Sequence, residues 1–537
     1  MKRIFISALV LSTMVFTGQT SKRPDNWFNL DPTNDKVNGV STERTYKELL
    51  KDKKSTTVIV GVIDSGVDYN HEDLKNVMWT NPGEIPGNNI DDDKNGYVDD
   101  IHGWNFIGGK DGKNVDADNL EMTRLMRGLK PKYEGKKESD FKTKEEKREF
   151  KLYQAVKEDY ALTKDKFEGG YNQLKFIIDG LTGLNTKLKD EYKVEKVTAT
   201  ELEKFSATEK TDKQMKLIGN SIIKSGQANN LDEAIGVVNE GFEQYKSYVE
   251  YSLNLEFDPR NIVGDDYKNS NEKYYGNADC IGPNSFHGTH VAGIIAASRN
   301  NGVGMDGIAS DVRIMAIRCV PDGDERDKDI ANGIRYATDN GAKIINMSFG
   351  KKYSWDKKVV DEAVKYAESK GVLLIHAAGN DGEDIDKVTH YPCKKFEGKG
   401  EALNFMDIGA LNWQSGDKIV ASFSNYGKKT VDLFSPGVDI YSTAPKNEYK
   451  DASGTSMAAP VTAGVAAVLK SYYPNLTPEQ IKKILIKSSV KNYKGEKVIK
   501  PGTKDELTKF DKLGKNGGII SLYEAVKMAE KFSKTKT

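Results

Sequence analysis

The sequence predicts an α/β fold, a doubly wound parallel sheet with helices on both faces, and three observations carry that prediction. Four short runs, residues 56–63 (TTVIVGVI), 312–317 (VRIMAI), 343–347 (KIINM) and 372–376 (VLLIH), are rich in β-branched apolar residues, as strands buried on both faces are. Helical patterns stand between the later runs, at 330–339 and 357–369, and strands alternating with helices imply a parallel sheet. Polar residues close the runs: Asp64 follows the first, Ser348 the third and Asn380 the fourth. In such sheets ligands gather beyond the carboxyl ends of the strands, so these three residues share the edge where a site is expected.

The chain opens with Lys2 and Arg3, an apolar run over 4–16 and small or polar residues over 17–21, the pattern of an export signal. The run is too short to span a bilayer. Residues 1–20 are therefore expected to be a signal peptide, and the mature protein to be secreted, into the periplasm or the medium. No other apolar stretch approaches ~20 residues, so no further membrane span is expected. Residues 21–117 and 257–537 are assigned to the sheet-bearing domain, in two parts, and 118–256 to an α-helical insertion between them. The insertion is dense in Lys and Glu and has no strand-like runs, but Ile235, Val238, Phe242, Tyr245 and Val249 step by three and four. Asn230 with Glu233, and Thr200 with Glu203, have the spacing of capping boxes. Such an insertion is either a surface decoration or a cap that gates substrates or assists folding. Further on, 454–469 is rich in Ala, Gly and Ser with Val and Leu, as a helix buried all round would be, and Pro474 closes it. Thr477-Pro478-Glu479-Gln480 combines an N-cap Thr, a Pro at the first helical position and a Gln at the third. A last amphipathic helix is expected over 523–532.

Composition narrows the function. The 537 residues carry 80 Lys+Arg against 80 Asp+Glu, so no global positive field steers the chain onto nucleic acid, and that partner is set aside. With 37% hydrophobic and 30% charged residues the chain can build a core beneath long solvated faces. Three cysteines, Cys280, Cys319 and Cys393, cannot form a disulfide framework, and burial is expected for each. Oligomeric state is not legible in these residues.

Three segments carry chemistry together: Asp64 in VIDSGVD, His287 in HGTHVAG and Ser456 in GTSMAAP. A hydroxyl can attack a carbonyl, an imidazole can take its proton, and a carboxylate can hold that imidazole in the right tautomer. The chain order Asp, His, Ser separates this arrangement from those that run His, Asp, Ser or Ser, Asp, His. Small residues flank each group, and Gly288, Gly454 and Thr455 would let backbone or substrate approach closely.

On these three blocks the chain strongly resembles the subtilisin-like serine peptidases, over residues 25–117 and 257–530. The resemblance implies a subtilisin-like sheet and a secreted endopeptidase that hydrolyses peptide bonds of proteins through an acyl-enzyme. It makes Ser456 the nucleophile, His287 the general base and then acid, and Asp64 the orienting carboxylate. His290, in the same motif, is not the catalytic histidine. Ala377-Ala378-Gly379-Asn380 resembles the family's oxyanion segment, which places the Asn380 amide beside the Ser456 N–H and puts Ala378 and Gly379 in contact with substrate. Ser348-Phe349-Gly350 resembles the edge on which an extended peptide pairs by backbone hydrogen bonds. His390-Tyr391-Pro392 falls where the family forms the floor of its specificity pocket. His71, His102 and His376 receive no role. The related sedolisins use a Glu base and an Asp where Asn380 stands, which this chain does not match. A calcium-stabilised peptide-binding scaffold, an esterase and a peptide ligase stay open as alternatives to a peptidase. The short stretch between the signal and the strand at 56 leaves no room for a separate folded pro-domain, and 38–50 resembles the family's N-terminal arm.

A second signal is IDDDKNGYVDD at 90–100, where oxygens arrive every second residue around a glycine turn. Asp91, Asp93, Asn95, Tyr97 and Asp99 are the candidate metal residues. The loop resembles the first half of an EF-hand but has His102 where the closing Glu would stand. An all-oxygen set suits Ca²⁺ in a structural role, and no organic cofactor is expected. Protein or peptide substrates are the partners expected.

Overall fold

The computed structural model describes residues 23–534, so the expected signal over 1–20 lies outside the described residues. The described chain forms two compact units, one of residues 128–255 and one of 23–127 together with the chain from 256 onward.

The larger unit is α/β. Its sheet contains Val58–Asp64 (β1), Gly103–Asn105 (β2), Val312–Arg318 (β3), Ile344–Met347 (β4), Leu373–Ala377 (β5), Phe405–Leu411 (β6) and Val431–Pro436 (β7). Their order is β2-β3-β1-β4-β5-β6-β7, and every pairing is parallel. Ile440–Ala444 (β8) and Glu448–Ala452 (β9) form a separate antiparallel hairpin. The four apolar runs became β1, β3, β4 and β5. Sequence patterning missed β6 and β7 because each carries a buried aspartate, Asp407 and Asp432, that interrupts its apolar run. The three-residue β2 is too short to show a pattern.

Helices follow in order. Thr42–Thr45 (α1) is a short turn in the N-terminal arm, and Glu121–Tyr133 (α2) leads out of the larger unit. The smaller unit contains Lys144–Tyr192 (α3), Ala199–Lys204 (α4), Lys210–Lys224 (α5) and Leu231–Ser247 (α6). Back in the larger unit come Arg260–Val263 (α7), Phe286–Ala296 (α8), Asp327–Asp339 (α9), Lys357–Ser369 (α10), Thr455–Tyr472 (α11), Pro478–Ser488 (α12) and Leu522–Lys534 (α13). Alternation along the strands explains why both faces are covered. Val60, Val62, Ile314, Ile344 and Ile375 pack in one core with Val291 and Ile295 of α8 and Val461 and Val465 of α11. Ile63, Ile317, Ile345, Met347 and Leu374 pack in a second core with Ile330 and Ile334 of α9 and Val360 and Val364 of α10.

The smaller unit has its own core, in which Leu181, Leu184 and Leu188 of α3 meet Leu202, Met215 and Leu231, with Ile235 and Val238 of α6 packed at its margin. Phe242 stacks on Tyr171 at 5.0 Å between ring centroids, and Tyr245 lies 5.2 Å from Phe167. The expected cap at Thr200 is corrected: α4 begins at Ala199, so Thr200 is already helical, and Thr198 with Glu201 forms the capping box. Asn230 caps α6, accepting from the Glu233 N–H at 3.1 Å, but the expected box does not close on it: Glu233 accepts from the Asn229 N–H at 2.8 Å. Residues 118–127, read from sequence with the insertion, stay in the larger unit, where Arg326 holds both Asp118 carboxylate oxygens at 2.7 and 2.9 Å. Thr477 and Gln480 form the box that starts α12. No helix among the described residues is long and apolar enough to cross a membrane. All three cysteines are free; Cys280 and Cys319 are buried and Cys393 is partly exposed.

Candidate active site

The strand order reverses around β1, with β3 on one side and β4 on the other, and the carboxyl ends at such a reversal are where a ligand crevice forms in open α/β sheets. Asp64 ends β1, and Ser348 follows β4 at the same level, since Ile63 pairs with Met347. The first turn of α8 lies across this edge. His287 Nδ1 sits 2.7 Å from Asp64 Oδ1, which also accepts from the Ser65 N–H at 2.8 Å. Asp64 is buried, whereas the His287 side chain is 38% exposed, so the ring can meet a molecule in the crevice. Burial works against the imidazolium, but the charge and hydrogen bond of Asp64 outweigh it, and His287 titrates above the ordinary histidine value. Gly288 makes the approach possible: a Cβ there would lie 2.1 Å from the Gly66 carbonyl oxygen and 3.1 Å from Asp64 Cβ. His290 faces the other way, with Nε2 3.0 Å from the carbonyls of Ile440 and Lys450, and burial pushes it down to about 4.

Ser456 is in the first turn of α11, where backbone N–H groups have no helical acceptor. Its Oγ donates to the Ser348 carbonyl at 3.0 Å and is not hydrogen-bonded to His287 in this conformation. In return Ser348 Oγ donates to the Ser456 carbonyl at 2.8 Å, so the nucleophile's helix is tied to the end of β4. Asn380 reaches the same place from the end of β5. Its Oδ1 accepts from both the N–H and the Oγ1 of Thr455, each at 2.9 Å. A backbone N–H can only donate, so this bond decides which end of the amide is oxygen and leaves the Nδ2 donor free. That nitrogen lies against Gly454, where a Cβ would come within 3.5 Å of it, beside the Ser456 turn. The Gly379 N–H donates to Thr455 Oγ1 at 3.1 Å, and Ala378 is buried behind it.

Ser348 and Phe349 are buried, and this segment comes to the surface at Gly350. Two features that sequence reading missed hold it. Lys351 follows Gly350, and its buried ammonium is 2.7 Å from Glu121 Oε2, 2.9 Å from Asp327 Oδ1 and 2.7 Å from the Glu325 carbonyl. His376 Nε2 lies 2.9 Å from the Phe349 carbonyl. His390 is largely buried beside two carboxylates, with Nε2 3.3 Å from Glu383 and Nδ1 3.8 Å from Asp381. His71 and His102 bond to the carbonyls of Glu448 (3.1 Å) and Trp79 (2.9 Å), which are structural contacts.

The acidic loop gathers a different set from the one its spacing suggests. Glu84, Asp93 and Asp100 bring carboxylate oxygens within 4.8 Å of one another. Asp91 instead accepts from the N–H groups of Asn95 and Gly96 at 3.0 and 2.9 Å. Asp99, at φ +53°, turns to accept from the N–H groups of Gly87 and Asn89, each at 2.8 Å. Asn95 donates to Asp93 and Asp100 at 3.1 Å, and the Tyr97 ring is buried against Trp104 and Tyr336. Burial, opposed by hydrogen bonds from Tyr336, Asn81 and Asn95 and assisted by the Asp93 charge, pushes Asp100 up to about 6. Two buried acids beside Asp93, supplying only hard oxygen donors, fit a hard divalent cation. Glu84 is nine residues from Asp93 in the chain and outside the alternating acidic string, so no local spacing pointed to it.

The family model described as the subtilase family matches residues 55–509. Thermophilic serine proteinase of Bacillus sp. (strain AK1) is 44% identical over 186 residues, 34% of this chain and 42% of that protein. Subtilisin DY of Bacillus licheniformis is 37% identical over 36% of this chain and 67% of its own length. Thermitase of Thermoactinomyces vulgaris is 41% identical over 34% of this chain and 61% of its own length.

Proposed function

Because this chain belongs to the subtilase family, we propose that it is a secreted serine endopeptidase that cleaves proteins through an acyl-enzyme. The observation that carries the reading is the convergence of Asp64, His287, Ser456 and Asn380 at one sheet edge, with His287 Nδ1 2.7 Å from Asp64. Secretion rests on the basic, apolar and small-residue pattern of 2–21.

An extended peptide pairs with the edge at Ser348–Gly350 and presents its carbonyl between Ser456 and Asn380. A substrate N–H arriving on the Ser348 carbonyl competes with the Ser456 hydroxyl for that oxygen, and rotation about one side-chain bond turns Oγ toward His287 Nε2. Oγ attacks the carbonyl carbon while Nε2 takes its proton, and Asp64 stabilises the imidazolium and holds its tautomer. Asn380 Nδ2 and the Ser456 N–H donate to the oxyanion, each donor of this kind contributing about 10² to 10³ in kcat. His287 then protonates the leaving amine, and water deacylates the enzyme by the reverse sequence. In the acidic loop Glu84, Asp93 and Asp100 would hold Ca²⁺, whose charge would offset the repulsion among three clustered carboxylates.

Digestion of casein by the wild-type chain and by Ser456→Ala, with every cleavage site read by mass spectrometry, tests the reading. Cleavage by the wild type alone is the expected result. Equal cleavage by both forms, or by neither, contradicts it.

A further inference from the structure

His376 is buried near the end of β5, and both of its ring nitrogens meet acceptors. Nε2 is 2.9 Å from the Phe349 carbonyl oxygen on the β4 side, and Nδ1 is 2.9 Å from Oδ1 of Asp407, its register partner on β6. A carbonyl can only accept. Asp407 loses hydration by burial, but Lys394 and His376 more than compensate, so its carboxyl titrates below the ordinary value and is ionised. Nε2 is therefore placed to donate to the Phe349 carbonyl, and Nδ1 faces an ionised carboxylate. Charges alternate behind it: Asp407 Oδ2 is 3.0 Å from Lys394 Nζ, which is 2.6 Å from Asp432 Oδ2, and Lys515 stands 3.6 Å from Asp432 Oδ1. These are the two aspartates that interrupt β6 and β7.

We propose that His376 is a positioning residue for the peptide-binding edge: anchored on Asp407, it donates from Nε2 to the Phe349 carbonyl and holds it inward, so that the Ser348 carbonyl faces the Ser456 side. Successive carbonyls of an extended strand point to opposite sides, and the Ser348 carbonyl is on the Ser456 side, 3.0 Å from Oγ. Without this donor the peptide between Phe349 and Gly350 can turn over, and the row of acceptors and donors that an incoming strand needs is broken. This inference rests on the peptidase reading above and adds a residue that touches no substrate.

The test compares two reactions of one enzyme. A small fluorophosphonate needs Ser456, His287 and the oxyanion donors but no strand pairing, whereas a tetrapeptide anilide needs the edge as well. In His376→Phe, which has no donor, kcat/KM for the anilide is expected to fall about 10²-fold, the cost of a misplacement near 1 Å. The labelling rate of Ser456 is expected to stay at the wild-type value. His376→Gln, whose amide can donate to one acceptor, is expected to recover part of the loss. A parallel fall in both reactions, or an unchanged anilide rate, overturns the proposal. Should His376→Phe not fold, ¹⁵N NMR of the wild-type ring decides: a protonated Nε2 at neutral pH supports the proposal and an unprotonated Nε2 overturns it. A wild type that is neither labelled nor active overturns the peptidase reading itself, an outcome distinct from failure at His376.

Discussion

His287 must be neutral to take the Ser456 proton, and its raised pKa decides where on the pH scale that condition is met. Activity is lost as pH falls through the raised value, so the acid limb of kcat/KM lies above the ordinary histidine range of about 6.5. In Asp64→Asn the attraction that raises the value is gone, and the limb is expected to move to lower pH while kcat falls by about 10⁴. A pH profile of both forms checks this, and an unmoved limb would mean that another group titrates. At this scale the candidate site was legible: Asp64, His287, Ser456 and Asn380 stand in segments whose small neighbours allow close approach, and the structure places them at one edge of the sheet. The Ser456 hydroxyl was not legible in detail, because its bond to the Ser348 carbonyl depends on a rotamer that sequence does not specify.

At the scale of elements, the site depends on how closely α8 approaches the loop after β1. Gly66, at φ +124°, turns the chain, and Gly288 leaves room for its carbonyl. Gly288→Ala would place a Cβ 2.1 Å from that oxygen and force the helix outward, carrying His287 from Asp64. The expected result is a fall of about 10²-fold in kcat/KM, with about 1–3 kcal/mol lost from stability; kinetics and urea unfolding of the same preparation measure both. A loss of stability with full activity would show that the loop yields instead of the helix. β1, β3, β4 and β5 were readable from their apolar runs, whereas Asp407 and Asp432 interrupt the runs of β6 and β7. Those aspartates are tolerable inside the sheet only because Lys394 and His376 lie against them, a long-range fact absent from local patterning. The cap at Thr198 escaped for a smaller reason: Thr200–Glu203 repeats its spacing two residues on, and only the start of α4 decides between them.

For the whole molecule, the acidic loop links stability to a cation. An ion that binds only the folded state stabilises it by mass action, about 2.7 kcal/mol at a free concentration one hundred times Kd. Chelation with EGTA is therefore expected to lower the melting temperature of the wild type, and Glu84→Gln to remove that difference. Equal melting with and without the chelator, and no calcium by elemental analysis, would contradict the assignment. The alternating oxygens of the sequence point to this loop and to Asp93, whereas Glu84 and Asp100 reach the carboxylate cluster through turns that spacing does not encode. The helical character of this stretch was legible from its composition and periodicity, and residues 128–255 form a compact unit with its own core.

The claim on which the rest depends is that Ser456 is a nucleophile activated by His287. Incubation with a small fluorophosphonate, followed by proteolysis and mass spectrometry, measures it most directly. The account predicts one adduct, on Ser456, with a rate that collapses in His287→Ala while Asn380→Ala still labels slowly. An unlabelled Ser456 in the folded wild type, or an adduct that forms as fast without His287, would contradict it.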